Sequence, residues 1–319
     1  MKKFLHLFKK VDGKKVLLQY MKAHVLLFAL FETLFIGFSK KSLEIVRLAV
    51  DNKIYVRLKK ENRQFIKTYK EEHENDNKDQ KYNPIIWTIW LQGMDNAPSI
   101  VKKCYESMKR NIVDRQIIVI TEKNYTDYIA FPDYIMDKYN KGIISKVHFA
   151  DLLRIELLGV YGGTWLDGTV FCSGSQKNDY KLDSELFMFQ NLKPGLDGHC
   201  RAVSSWMITS YSKNPIILLT RALLHNYWKN YNFAIDYFIL HDFLQMSIEA
   251  YPNEWNKVVP FSNSTPHILL LKLFEDYDEK IWNALKVQTN FHKLSYKFDV
   301  VNTKYKRTYY DVIINHDND

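Results

Sequence analysis

The chain has 319 residues, of which 46% are hydrophobic and 15% aromatic, so it can bury a sizeable core. Its net charge of +9 comes from the first 70 residues, which hold 17 Lys and Arg against 5 Asp and Glu, whereas the remainder holds 28 against 31. Because the larger part is slightly acidic, composition argues against a nucleic-acid groove and predicts a basic segment that meets an anionic partner.

The basic segment contains a short apolar run at residues 25–38. This run has about 14 residues and Glu32 in its middle, whereas a transmembrane helix needs about 20 apolar residues. No small-residue cleavage site follows it, which argues against a signal peptide. We therefore expect a basic helix lying on an anionic membrane surface; the alternative is a helical hairpin packed on the rest of the protein. The lysines before the run are Lys2, Lys3, Lys9, Lys10, Lys14, Lys15 and Lys22.

Apolar spacing at residues 43–69 predicts one or two amphipathic helices that complete a helical extension over residues 1–70. Residues 71–81 are almost entirely polar and predict a linker. The main domain is therefore expected at residues 82–319.

The main domain alternates predicted strands and helices. Residues 85–91 and 116–121 are β-branched or apolar runs typical of buried strands, and residues 99–108 between them suit a crossover helix. A second helix is predicted at residues 144–158. This alternation predicts an α/β fold with a mostly parallel sheet flanked by helices. Farther on, the pattern predicts a strand at residues 204–209 and helices at 215–228 and 234–243.

The stretch at residues 146–170 is the most informative part of the chain. Asp151 and Arg154 lie three residues apart, which places them on one face of the predicted helix. Gly162 and Gly163 then end this helix, and a short apolar strand leads to Asp167. The pattern delivers a carboxylate to the end of a strand, where open α/β sheets bind their ligands.

This stretch resembles the sugar-nucleotide-binding region of GT-A-type glycosyltransferases with a DXD motif and, more narrowly, capsular polysaccharide synthesis proteins. The matching positions are Asp151 to Arg154, Tyr161-Gly162-Gly163, Trp165 and Asp167-Gly168-Thr169. The resemblance begins near residues 87–93 (WTIWLQG) and extends more weakly to about His267. One position departs from the pattern, because Thr169 stands where the family has its second acid.

The resemblance implies a GT-A-like fold and a set of donor-binding residues. Trp90 would stack on the base of a nucleotide-diphosphate sugar, although a tryptophan in a core is an equal alternative. Asp151 and Arg154 would contact the donor sugar and its diphosphate, rather than forming an ordinary surface ion pair. Gly163 would let the backbone approach the donor, and Trp165 would share the face of the strand that carries Asp167.

Asp167 is the strongest candidate for a catalytic residue and for a metal ligand. A divalent cation, Mn²⁺ or Mg²⁺, prefers carboxylate and phosphate oxygens, so Asp167 with waters and a diphosphate would suffice to hold one. Thr169 would be a poor direct ligand, but its hydroxyl could bind a phosphate or a metal-bound water. We therefore expect a divalent metal as the cofactor, held by a single carboxylate.

Three residues of the second half are further candidates. Asp236 and Asp242 belong to an otherwise apolar stretch, which is similar to an Asp-Tyr-Phe stretch of the capsular proteins. They are candidates for acceptor binding, for catalysis or for an extra metal contact; the alternative is that they cap helices or are hydrogen-bonded polar groups of the core. His267 follows a polar loop and would reach the diphosphate of the donor.

Together these features predict an enzyme, a hexosyltransferase of class EC 2.4 that moves a hexose from a nucleotide-diphosphate sugar to a lipid-linked saccharide acceptor. The expected location is the cytoplasmic face of a bacterial plasma membrane, which also fits three cysteines without a disulfide pattern. The alternative is a non-catalytic, membrane-tethered binding or assembly subunit that kept the fold, and Thr169 is the residue that favours it.

Overall fold

The computed structural model describes residues 13–73, 80–192 and 201–315. Its first part consists of helices α1 (Gly13–Lys22), α2 (Leu26–Ile36) and α3 (Lys40–Glu72). Most of the predicted linker and the lysines before residue 13 lie outside the described residues. None of the described helices is both long and apolar enough to cross a membrane.

Helix α3 is a single helix of 33 residues that ties the extension to the rest of the protein. Ser39 caps its first turn, since its hydroxyl accepts a hydrogen bond from the backbone N–H of Ser42 at 3.0 Å. Val46, Val50, Ile54 and Leu58 recur every four residues, and all are buried. They join the main hydrophobic core, so the extension packs on the sheet domain through this stripe.

The central sheet has five strands in the order β2-β1-β3-β6-β5. Strand β6 pairs antiparallel with β3 and β5, whereas β1 pairs parallel with β2 and β3, so four strands share one direction. Strands β4 and β7 form a separate antiparallel pair. The strands are β1 (Ile85–Ile89), β2 (Gln116–Ile120), β3 (Gly163–Leu166), β4 (Val170–Cys172), β5 (Leu186–Gln190), β6 (Val203–Ser210) and β7 (Phe291–Lys293).

Helices cover both faces of this sheet. Alternate residues of a strand face opposite sides, so Trp87 and Trp165 belong to the core shared with the extension, whereas Ile86 and Leu166 belong to a core on the other face. The predicted class, an α/β fold with a mostly parallel sheet flanked by helices and preceded in the chain by a helical region, is confirmed. The remaining helices are α4 (Ser99–Asn111), α5 (Asp133–Asn140), α6 (Lys146–Tyr161), α7 (Tyr180–Asp183), α8 (Pro215–Asn230), α9 (Ile239–Ala250), α10 (Pro252–Trp255), α11 (Ile268–Lys272) and α12 (Glu279–Gln288).

The helix predicted at residues 234–243 was placed too early, because α9 begins only at Ile239. The carboxylate of Asp236 accepts a hydrogen bond from the backbone N–H of Phe238 at 3.0 Å. This side chain thereby stabilises a turn in place of a helix, a common role of aspartate. Asp236 consequently lies in the turn before α9, whereas Asp242 lies in its first turn.

The predicted Gly-Gly helix end is confirmed at the point where α6 turns into β3. Gly162 has a φ of +72°, a conformation that L side chains rarely adopt. A Cβ atom there would lie 2.6 Å from the backbone nitrogen of Ser212 and 2.9 Å from the carbonyl oxygen of Ser210. The glycine is therefore required both by its backbone conformation and by the close approach of another backbone segment.

We predict that Gly162→Ala lowers the free energy of unfolding by about 2 kcal/mol or more, because strain and a backbone clash add together. Gly159→Ala is the matched control within α6, since its Cβ would meet the Leu218 side chain at 3.5 Å, an ordinary contact. That variant should change stability by less than about 1 kcal/mol. Urea unfolding followed by circular dichroism measures both, and equal effects of the two substitutions would contradict this account.

Candidate functional site

A cleft of about 420 Å³ opens at the edge of the sheet where β1 and β3 end. We call it the Asp167 cleft. Its walls come from Trp90 after β1, the first turns of α6, the segment 167–169 and the segment after β7. Trp90 and the segment 167–169 follow the parallel strands β1 and β3, so the topology places them at the carboxyl edge of the sheet. The separate β4–β7 pair brings the segment after β7 to the same place.

Asp167 lines this cleft and is held by three side chains. Its Oδ1 accepts hydrogen bonds from Arg154 Nη2 at 3.1 Å and from Trp165 Nε1 at 3.0 Å. Its Oδ2 lies 3.4 Å from the ammonium of Lys293. Burial by itself would raise the pKa of Asp167, but the charges of Lys293 and Arg154, together with these hydrogen bonds, hold the pKa below its usual range. The carboxylate is therefore ionised at neutral pH.

The predicted pairing of Asp151 with Arg154 is present in α6. Ser145 caps this helix, and the guanidinium of Arg154 lies 3.2 Å from Asp151 Oδ1 while it also binds Asp167. The guanidinium also lies over the ring of Trp165 at 4.8 Å. Asp151 and Arg154 therefore face the same side as Asp167, as the spacing predicted, and Arg154 joins the two carboxylates.

The two carboxylates differ in their protonation. Burial raises the pKa of Asp151 to about 7, because the neighbouring Arg154 offsets only part of the desolvation and Asp167 adds repulsion. Asp151 therefore holds its proton to a much higher pH than an ordinary aspartate, whereas Asp167 is charged at neutral pH. The cleft thus presents one fixed negative charge and one carboxyl group that can donate as well as accept a hydrogen bond.

Lys293 is the member of the site that the sequence did not reveal. Its ammonium donates a hydrogen bond to the hydroxyl of Thr169 at 2.6 Å. The β4–β7 pair sets this contact, since Val170 lies opposite Lys293 and the N–H of Leu294 binds the carbonyl of Thr169 at 2.9 Å. Lys293 and Thr169 are 124 positions apart, and no local pattern marks either as a partner of the other.

Aromatic and basic side chains form the mouth of the cleft. Trp90 is partly exposed and meets the ring of Tyr296 edge-on at 5.5 Å. Trp90 Nε1 has no hydrogen-bond partner among the described residues. Lys146 and Lys297 also line the cleft, so its described lining carries four basic side chains against two acidic ones. This charge balance suits an anionic ligand with a flat apolar group.

Trp165 and Gly163 lie behind the cleft and are not among its lining residues. Trp165 is fully buried and acts through its hydrogen bond to Asp167. Gly163 lies at the opposite end of β3, where its φ is +97° and a Cβ atom would lie 2.6 Å from the carbonyl oxygen of Ile85. Close packing of β3 on β1 therefore explains this glycine without a ligand.

A second cleft of about 390 Å³, which we call the Arg201 cleft, is lined by His267 and Arg201, whereas Asp236 and Asp242 are buried behind it. Arg201 lines it and binds Asp242 at 2.8 Å, Asp51 of α3 at 3.3 Å and also Asp236. Burial raises the pKa of Asp242 to about 8, despite the attraction of Arg201. His267 also lines this cleft, and its Nδ1 lies 2.7 Å from the carbonyl of Asn263.

The two clefts are neighbours. The backbone N–H of Asp167 binds the carbonyl of Trp206 at 2.9 Å, and Trp206 lines the Arg201 cleft. His241 lies between them: burial, then the charges of Arg154 and Arg201, lower the pKa of its imidazole to about 3. Its Nδ1 has no hydrogen-bond partner among the described residues. A neutral histidine thus lines the Arg201 cleft, with its Nδ1 buried.

The arrangement at Asp167 fits a divalent metal poorly. Both of its oxygens already face cationic or N–H donors, and the Thr169 hydroxyl accepts from Lys293. Within the described residues, no group of three or more His, Cys, Asp or Glu side chains could hold a metal ion. The metal predicted at Asp167 therefore stays a prediction that binding measurements can decide.

The site thus defines an α/β protein with a basic, aromatic-walled cleft around one ionised carboxylate. The family model "Capsular polysaccharide synthesis protein" matches residues 36–313, and the chain belongs to this family. A solved structure titled "PaToxG Glycosyltransferase" is similar at 16% identity, covering 75% of this chain and 86% of that chain with a TM-score of 0.37. No curated protein sequence matches this chain.

The raised pKa of Asp151 predicts a pH-dependent contribution to stability. Between its ordinary pKa of about 4 in the unfolded chain and about 7 in the fold, the folded protein binds the extra proton, so stability falls as pH rises through this window. Relative to Asp151→Asn, the wild type should lose about 1 kcal/mol per pH unit from pH 5 to pH 6 and level off above pH 7.

Urea unfolding of both proteins at pH 5, 6, 7 and 8 measures this difference. Asp133→Asn, a change at an exposed aspartate, should instead run parallel to the wild type at every pH. A constant difference between the wild type and Asp151→Asn across the series would contradict the raised pKa.

Proposed function

We propose that this protein is a glycosyltransferase that moves a hexose from a nucleotide-diphosphate sugar to a saccharide acceptor during capsular polysaccharide synthesis. The observation that carries the proposal is the Asp167 cleft, in which one ionised carboxylate lies among Arg154, Lys293 and an aromatic wall. Family membership supports the same role.

Each part of such a donor, namely the base, the diphosphate and the sugar, has a complementary group in the Asp167 cleft. The base would stack on Trp90, and the diphosphate would face the lysines and Arg154. Asp167 and Asp151 would accept hydrogen bonds from sugar hydroxyls. Asp167 also fixes Arg154 in place, so the cation that meets the diphosphate does not have to reorganise during transfer.

In the reaction, the bond between the anomeric carbon and the phosphate oxygen breaks, and its electron pair leaves with the nucleoside diphosphate. The acceptor hydroxyl oxygen forms the new bond to the anomeric carbon and releases its proton to solvent. Negative charge develops on the departing phosphate, so preorganised cations such as Arg154 stabilise the transition state.

The Arg201 cleft is the candidate acceptor site. It adjoins Asp167 and carries hydroxyl and imidazole groups that suit a saccharide, including Ser204, Ser205 and His241. Asp236 and Asp242 would act here by fixing Arg201. Arg47 and Asp51 of α3 also line this cleft, which connects the helical extension with the proposed acceptor.

A panel of UDP- and GDP-sugars tests the proposal against the alternative of a non-catalytic binding subunit. Isothermal titration calorimetry, followed by assays of donor hydrolysis and transfer, is the measurement. We expect one donor to bind and to be hydrolysed slowly without acceptor. Failure of every donor to bind would overturn the proposed function, and binding without hydrolysis or transfer would favour the binding subunit.

Asp167→Asn should lower transfer by about 100-fold or more while the protein stays folded, because the neutral amide no longer anchors Arg154 and Lys293. Circular dichroism and thermal unfolding check the fold, and Asp133→Asn, outside the cleft, is the control with full activity. Undiminished transfer by Asp167→Asn would refute the role of this carboxylate.

We also propose that the extension holds the protein on an anionic membrane, at the cytoplasmic face where a lipid-linked acceptor would lie. Helix α2 supports this proposal, because a run of its large apolar side chains is 50–83% exposed. These side chains are Leu27, Leu30, Phe31, Leu34 and Phe35. Lysines flank the helix at Lys22, Lys40 and Lys41, as an anionic bilayer surface requires.

The triple variant Leu27→Ser, Phe31→Ser, Leu34→Ser should bind vesicles rich in phosphatidylglycerol about tenfold more weakly or worse, because the apolar area that enters the bilayer is lost. Co-sedimentation measures the binding. A matched triple variant replaces Val113, Leu271 and Val287, equally exposed but outside α2, with Ser. Equal binding by the two triple variants would exclude α2 as the membrane-contacting surface.

A further inference from the structure

The contacts of Lys293 place a positive charge between the two positions that the DXD pattern devotes to acids. Its ammonium donates to Thr169 Oγ1 at 2.6 Å and lies 3.4 Å from Asp167 Oδ2. Its contact with the carbonyl of Leu294 is long, at 3.4 Å, so this third N–H can turn to a ligand oxygen. Lys293 also lines the Asp167 cleft, so the same ammonium faces the space in which a ligand would bind.

The backbone fixes this position firmly. Lys293 is the last residue of β7, directly opposite Val170 of β4, and the next residue closes a backbone hydrogen bond to Thr169 at 2.9 Å. The side chain is only 19% exposed, so its direction is set by packing. A lysine placed in this way cannot leave without breaking its contacts with both Thr169 and Asp167.

A divalent cation at Asp167 would compete with these contacts. Oδ2 lies 3.4 Å from the ammonium of Lys293, and two cations sharing this oxygen would repel each other. Thr169 also offers one hydroxyl where an acid would supply a charged ligand. The positive charge of Lys293 therefore lies at the place where the DXD pattern would hold a metal ion, and Thr169 stands where that pattern would supply the second carboxylate.

We propose, building on the transferase function above, that the ammonium of Lys293 binds the donor diphosphate in the place of a divalent metal ion. Donor binding and sugar transfer then need no metal. When the bond from the anomeric carbon to the phosphate oxygen breaks, the electron pair stays on the nucleoside diphosphate, and Lys293 and Arg154 neutralise it. Thr169 and Asp167 act as positioning residues that aim the ammonium.

Calorimetry with UDP and GDP, in EDTA and in Mn²⁺, tests this proposal on the intact protein. The wild type should bind one nucleotide with dissociation constants that agree within about threefold between EDTA and Mn²⁺. Lys293→Met should weaken binding in EDTA by about tenfold or more, because a charge-assisted contact to phosphate is lost. Lys293→Arg should retain most of the affinity, and Lys280→Met, an exposed lysine of α12, is the control.

A second variant restores the acid at the position of Thr169. Thr169→Asp combined with Lys293→Met presents two carboxylates and no ammonium, so it should bind the nucleotide about tenfold more tightly in Mn²⁺ than in EDTA. This gain of a metal requirement is a readout that loss of structure could not produce. Circular dichroism confirms the fold of each variant.

The possible failures separate the two proposals. Wild-type binding that requires Mn²⁺, or undiminished binding by Lys293→Met, would overturn the role of Lys293 and leave the transferase function standing. A double variant that binds nucleotide equally in Mn²⁺ and EDTA would also overturn it. If neither nucleotide nor any UDP- or GDP-sugar binds under any condition, the function itself fails.

Discussion

The cleft depends on one charge balance, in which the carboxylate of Asp167 is shared by Arg154, Trp165 and Lys293. A partly buried carboxylate without partners would lose its charge, and without this carboxylate Arg154 and Lys293 would repel each other and Trp165 would lose its hydrogen bond. The carboxylate thus stays ionised, and two cations stay aimed at the same space. The two roles proposed for the site, recognition of sugar hydroxyls and stabilisation of a leaving phosphate, both use this fixed arrangement of one carboxylate and two cations.

The helical extension is integrated with this site at the level of packing. Its buried stripe along α3 belongs to the main core, and Asp51 of the same helix binds Arg201 beside the Asp167 cleft. The exposed apolar side chains of α2 lie on the same extension. A single 33-residue helix therefore joins the exposed apolar surface of α2, for which we propose a membrane contact, with the Arg201 cleft, which we propose as the acceptor site. Under this proposal, the apolar side chains of the extension would enter the bilayer and its basic side chains would meet the anionic lipid headgroups.

Two clefts with different electrostatics adjoin at Asp167. In the Asp167 cleft, basic side chains outnumber acidic ones, as an anionic donor requires. Beside the Arg201 cleft, three carboxylates surround the guanidinium of Arg201, and burial, with repulsion between the carboxylates as a smaller cause, raises the pKa values of Asp51 and Asp242. Arg47 also lines this cleft, which therefore combines charged groups with the hydroxyls of Ser204 and Ser205 and the imidazole of His241. The turn at Asp236 separates the two, since Tyr237 lines one cleft and Phe238 the other.

The sequence by itself determined the features that depend on local periodicity and local chemistry. Residue spacing placed Asp151 and Arg154 on one helix face, the Gly-Gly pair ended that helix, and alternation put Trp165 and Asp167 on one side of the strand. The tertiary structure alone decided which distant residues complete the site. Lys293 meets Thr169 through the β4–β7 pair, and Arg201 collects Asp51, Asp236 and Asp242 from separate elements. Such contacts join segments that are far apart in the chain. The periodic spacing of residues within one segment carries no information about which distant segment it will contact.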